Sequence, residues 1–255
     1  PDGTKFANAD QERAMKRGAG LYDTSLGIIA SILKALQTGD FNIAEKLILI
    51  FANNDKYRVD GLSFEIRAFP NGNAFKPFTR FLYWFFNMTE KNAKWDSSWN
   101  FWNVNLGPNA WLALAVSMYL EKAPNPNPKI LALAKMLGNS MVDDLGNGER
   151  MQTPSGAMRF GPKGQYEASG ITDFSYYLSV TENNISAAAA LYALAKTTKD
   201  DKYRDAADKI VDWCLMAPFM CLRMANGWSS RECLTRIPLI PISMWRPIGI
   251  LQKMQ

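Results

Sequence analysis

Proton transfer in this chain would have to be carried by carboxylates, tyrosine or lysine, because its 255 residues include no histidine. That one absence removes Ser-His-Asp and Cys-His nucleophile systems, imidazole bases and His-x-x-x-His metal motifs. The cysteines, Cys214, Cys221 and Cys233, are odd in number and not spaced as metal ligands, so neither a disulfide framework nor a zinc site is expected. No cofactor or metal is implied. The carboxylates that stand out are Asp23 and Glu182, each at the start of an apolar helical segment, followed by Asp96 and Glu167. Asn109, Asn183 and Asn184 occupy similar helix-start positions. A helix N-terminus carries partial positive charge and free amides, so it favours an ionised carboxylate and can orient hydroxyl-rich ligands. The competing reading is structural, since Asp before an apolar helix also serves as an N-cap and Glu182 can simply complement the helix dipole.

The elements that would position these residues form a repeat. Three segments share one plan: a long, almost wholly apolar helix, a short polar break, and an amphipathic helix. They cover about residues 22–53, 107–144 and 181–216, and the phrase Ala44-Glu45-Lys46-Leu47-Ile48 returns as Ala207-Asp208-Lys209-Ile210-Val211. Asp40 after Gly39 is expected to open the second helix of the first pair. In the third pair Tyr203, Ala206, Ala207, Ile210, Val211 and Trp213 make one apolar stripe, the mark of a half-covered helix. The partner helices, apolar all round, should be enclosed. Alternating enclosed and half-covered helices predict an inner and an outer layer.

The joins between pairs are long. Residues 54–105 read as a short strand at 63–69, a helix around 78–87 and the aromatic run Trp95-Asp96-Ser97-Ser98-Trp99-Asn100-Phe101-Trp102. Residues 145–180, rich in Gly, Ser and Tyr, contain Gly161-Pro162-Lys163-Gly164, a turn able to close a hairpin. Loops this long in a compact domain suggest a functional surface. Flat aromatic faces at Trp95, Trp99 and Trp102 beside Asp96 suit sugar rings, while large aromatics also fill helical cores, the reading favoured for Trp84 and Trp111. From Pro218 the helical period is lost, and 218–255 reads as an irregular tail, either a C-terminal extension or an altered reading frame.

The phrases YDTSLGIIASIL, GPNAWLALAVSMYL and TENNISAAAALYALAKTTKDDKYRDAADKIVDW resemble the inner and outer helices of the six-hairpin glycosidase-like superfamily, over roughly residues 20–215. The resemblance implies a single all-α domain: an (α/α) toroid-like array of helical hairpins, a partial ring of three to four, with short β-hairpin insertions in the long loops. It also implies a carbohydrate partner. Glycoside cleavage needs one protonated and one ionised carboxylate, about 5–5.5 Å apart for retention or about 6.5–9.5 Å for inversion. On this likeness Asp23 and Glu182 are the catalytic candidates, with Asp96, Trp95, Trp99, Trp102, Asn109, Asn183 and Asn184 as substrate contacts. The alternative is a toroid that binds glycan or protein without catalysis.

Other partners have little in their favour. Lys plus Arg exceed Asp plus Glu by 29 to 24, but the charges are scattered, so no nucleic-acid surface is expected. No apolar stretch reaches the roughly 18 residues of a membrane span. Gly18-Ala19-Gly20 lacks phosphate-loop spacing, and Asp143-Asp144 and Asp200-Asp201 are too sparse for an Asp-rich metal motif. The chain starts at Pro1, which fits a cleaved leader or a piece of a longer protein, so a cytoplasmic and a periplasmic or secreted location both stay open.

Overall fold

The structure, a computed structural model, describes residues 18–52, 65–66, 81–82, 85–87, 104–146, 148–163 and 174–225. These residues are mostly helical. The helices are α1 (Leu21–Thr38), α2 (Asn42–Ala52), α3 (Leu106–Lys122), α4 (Pro128–Val142), the single turn α5 (Phe174–Tyr177), α6 (Thr181–Thr198) and α7 (Asp201–Ala225). The strands are short: β1 (Gly18–Gly20), β2 (Glu65–Ile66), β3 (Phe81–Leu82) and β4 (Phe85–Asn87). The chain divides into two compact units, Pro1–Cys214 and Leu215–Gln255; in the second the described residues, 215–225, are helical.

In the first unit α3 packs between α1 and α6, and α2 and α4 pack behind them. Burial follows this layering. Leu106, Ala110, Leu112, Ala113, Ala115, Val116 and Tyr119 of α3 are buried, and they leave it enclosed as its sequence predicts. The helices on either side of it differ. Leu26 and Leu33 of α1, and Ile185 and Tyr192 of α6, are exposed, so neither helix is enclosed as its sequence predicts. Each of these two helices therefore buries one face against α3 and leaves another open.

The polar breaks between paired helices share one chemistry. Asp40 Oδ1 accepts from the Asn42 amide at 3.0 Å, Asn127 Oδ1 from Lys129 at 3.0 Å, and Asp200 Oδ1 from Lys202 at 3.1 Å. Each satisfies an amide that the first helical turn leaves without an intrahelical acceptor. Before two of these caps the chain takes a left-handed residue, Gly39 at φ 76° and Lys199 at φ 58°, whose amides close onto Ala35 O and Ala195 O. Glycine adopts this geometry freely and lysine does not. Lys199→Gly is therefore expected to stabilise the protein by about 0.5–1 kcal/mol, read as a rise of roughly 2 °C in melting midpoint.

A second polar cluster joins α7 to α4. Lys202 Nζ donates to Asn139 Oδ1 at 2.8 Å and lies 3.1 Å from Asp143 Oδ2. The buried Tyr203 donates its hydroxyl to the same Asn139 oxygen at 2.6 Å. Tyr203, Ala206, Ala207 and Ile210 are buried as the stripe predicts.

Two further expectations need correction. The helix predicted around 78–87 is not formed, because the described residues there are β3 and β4. FLYWFF is a short aromatic run that fits a strand as well as a buried helix, and aromatic residues favour strands. The helical period, predicted to end at Pro218, instead continues to Ala225. Phe219–Ala225 holds no further proline or glycine, and its Met, Leu, Arg and Ala residues are good helix formers.

Candidate functional site

The first turns of α1, α3 and α6 carry most of the polar residues singled out in the sequence, and short extended segments knit these turns together. β1, which leads into α1, pairs antiparallel with β4, Gly18 opposite Asn87 and Gly20 opposite Phe85. β3 pairs with β2 and is held to α3. Residues 158–160 join α3 to α6, with the Leu106 amide donating to Phe160 O at 2.8 Å and the Phe160 amide to Leu178 O at 2.7 Å. None of the three helices has a side-chain N-cap; Gly20, Asn105 and Val180 occupy those positions. Asp23 thus sits in the first turn rather than at the cap.

Asn109 and Asn184 make this belt. Asn109 Oδ1 accepts from the Leu82 amide at 3.0 Å, and its Nδ2 donates to Leu82 O and Asn105 O, both at 3.0 Å. Asn184 repeats the pattern: Oδ1 accepts from the Met158 amide at 2.6 Å, and Nδ2 donates to Met158 O at 3.1 Å and Val180 O at 2.9 Å. Both are fully buried. A primary amide has an acceptor and two donors, so it can match one peptide group and still cap a carbonyl a turn back. Thr24, at the corresponding place in α1, keeps only the last part, donating to Gly20 O at 2.8 Å. The amides of Asn109 and Asn184 are committed to backbone, which corrects their expected role as substrate contacts. Their polar groups are spent on the fold.

The remaining predicted residues are differently placed. Asp23 and Glu182 are exposed. The Asp23 carboxylate folds back over Gly20. Helices pack about 8–10 Å apart, and α3 stands between α1 and α6. The axes that carry these two acids are therefore up to roughly 16–20 Å apart, with α3 between them. Asn183, half-buried, lies against Gly107, at a point where a Cβ would collide. Trp111 and Tyr22 meet edge to face at 5.4 Å, so this part of the surface is aromatic. Asn105 Oδ1, buried beside Asn109, has no hydrogen-bond donor. Asp96, Trp95, Trp99, Trp102 and Glu167 lie outside the described residues. No group of three metal-ligating side chains occurs among the described residues, and no helix there is long and apolar enough to cross a membrane.

One site was not anticipated. A cleft of about 390 Å³ is lined by Arg150, Arg159 and Lys209, with Val142 of α4, Gln152, Thr153 and Tyr176. Its floor is a doubled turn, with bridges Asp144–Arg150 and Gln152–Met158. Gln152 Nε2 ties this turn to α7 by donating to Ala206 O at 2.9 Å, while also donating to Gly156 O at 3.1 Å. Gly156, at φ 95°, rests against the Lys209 carbonyl with no room for a side chain. Tyr176 has the Arg159 guanidinium 3.8 Å from its ring centre. Burial, reinforced by Glu149, pushes its phenol up to about 12 and keeps it neutral. These cations are scattered singly in the sequence, and only the fold gathers them.

No protein-family model, curated protein or solved structure matches this chain.

Proposed function

We propose that this protein is a carbohydrate-binding α/α-toroid-like module whose glycan surface is formed by the first turns of α1, α3 and α6. The observation that carries the reading is the rigid belt beneath that surface, on which Asp23, Glu182, Asn183, Tyr22 and Trp111 are displayed. Aromatic faces next to carboxylate and amide groups suit the C–H faces and hydroxyls of sugars. The three hairpin-like phrases and the placement of α3 between α1 and α6, with α2 and α4 behind, also support an arc of such a toroid. Binding is favoured over turnover because α3 separates the helices that bear Asp23 and Glu182. Glycoside hydrolysis is the second reading, favoured by the exposure of both acids in helical first turns.

A glycan array combined with a polysaccharide-hydrolysis screen tests both readings, using wild type, Asp23→Asn and Glu182→Gln. Glycan retention without reducing-end release, with affinity changed less than about threefold in either variant, is the expected result. Release by wild type that falls about 10³-fold or more in both variants would establish the carboxylate pair instead. No retention and no release would remove the carbohydrate reading altogether.

A further inference from the structure

We propose that the cleft between the end of α4, the 148–159 turns and α7 binds a dianionic oxyanion of the phosphate or sulfate type. Its volume, about 390 Å³, is that of a small-molecule site. Three cationic side chains line it, and no carboxylate appears among the described lining residues. Several other described cations are paired with carboxylates. Lys122 and Lys196 pair with Glu121, Lys202 with Asp143, and Lys163 with Glu149 at 3.6 Å. Arg150, Arg159 and Lys209 make no such ion pair among the described residues.

Arg159 is held in place without being neutralised. Its Nε donates to Arg150 O at 3.1 Å and its Nη1 to Tyr176 O at 2.9 Å, while its plane covers the Tyr176 ring. Carbonyl oxygens and a neutral phenol fix the guanidinium but leave its charge intact. A planar fork pre-set in this way loses little entropy on binding an oxyanion. Arg150 and Lys209 are exposed and line the cleft from separate elements, the 148–159 turns and α7. Gln152 and Gly156 clamp the turn against α7, so the cations from separate elements move as one frame. Acidic residues do lie nearby. Asp208 accepts the Tyr192 hydroxyl at 2.5 Å, Glu149 pairs with Lys163 and bears on Tyr176, and Asp144 is bridged through its backbone to Arg150. Three positive charges without an ion pair among the described residues match a dianion better than a single carboxylate does.

This site is independent of the carbohydrate reading, and its test requires no glycan. Isothermal titration at constant ionic strength, with chloride as the balancing ion, would use inorganic phosphate, inorganic sulfate and glucose 6-phosphate as probes. Saturable phosphate binding is expected, weakened about tenfold or more by Arg150→Gln and by Lys209→Gln. Both side chains are exposed, so the melting curve should stay unchanged in the same samples. Lys34→Gln, on the exposed face of α1, should bind as wild type does. Glucose 6-phosphate binding about tenfold tighter than phosphate identifies an ester as the ligand; equal affinity identifies the free ion. Absence of saturable binding by any probe, or equal affinity in wild type and the Arg150→Gln/Lys209→Gln double variant, overturns the proposal.

Discussion

Asn184→Ala is expected to lower the folding free energy by about 3–5 kcal/mol, with a melting midpoint roughly 10 °C or more below wild type. The loss comes from three bonds made at once. Asn184 Oδ1 takes the Met158 amide, and Nδ2 serves both Met158 O and Val180 O, all within a fully buried environment. Alanine leaves those backbone groups without partners, at about 1–3 kcal/mol for each buried orphan, and it leaves a cavity as well. Asn184→Asp should be worse at neutral pH. A carboxylate still accepts from Met158 but faces two carbonyl oxygens, so its pKa rises, and protonation makes it a donor again. Its folded pKa then exceeds its unfolded value, and Asn184→Asp should regain stability as pH falls. Thermal melts of both variants between neutral and acid pH provide the check. A melting midpoint unchanged in Asn184→Ala, with glycan retention lost, would return Asn184 to the ligand surface.

The paired helices were legible because their signals are local. Length, apolar periodicity and the breaks at Gly39-Asp40 and Asp200 lie within a few residues of the elements they delimit. The role of Asn109 and Asn184 was not legible, because each is decided by a segment far away in sequence: Asn109 reaches back 27 residues to Leu82, and Asn184 back 26 to Met158. From sequence, a polar residue at a helix start looks free to meet a ligand. A usable trace does exist, since the two asparagines align when GPNA is set against ENNI in the repeat. The aromatic insert misled for a different reason. A run such as FLYWFF carries no periodicity that separates strand from helix, and its pairing with β1 and β2 settles the outcome.

The cleft shows the same limit from the side of electrostatics. Arg150, Arg159 and Lys209 sit in unremarkable local sequence, and a scattered positive charge reads as a solvated surface. What distinguishes them is that the fold gathers all three at one cleft with no carboxylate among its described lining residues. Asp23 and Glu182 illustrate the converse. They looked convergent because both begin apolar helices, but convergence depends on which helices are neighbours, and α3 lies between theirs.

Gly138 carries the other large effect expected here. It lies within α4 opposite α6 and α7, and a Cβ built on it would stand 2.7 Å from Tyr203 Cε1 and 2.9 Å from Leu194 Cδ1. Replacing a mid-helix glycine by alanine ordinarily stabilises by about 0.5–1 kcal/mol. Overpacking a filled core costs about 1–3 kcal/mol, and both neighbours are buried side chains with nowhere to retreat. Gly138→Ala is therefore expected to destabilise by about 1 kcal/mol despite its better helix propensity, and Gly138→Leu by about 3 kcal/mol or more. Tyr203 is further fixed by its bond to Asn139, so its ring cannot simply rotate away. Denaturant melts of Gly138→Ala, Tyr203→Ala and the double variant isolate the contact. Tyr203→Ala alone should cost about 3–5 kcal/mol, but in its background Gly138→Ala should become neutral or stabilising, a coupling of about 1–2 kcal/mol. If Gly138→Ala stabilises the protein with Tyr203 in place, α4 does not approach α7 as closely as the packing of this unit requires.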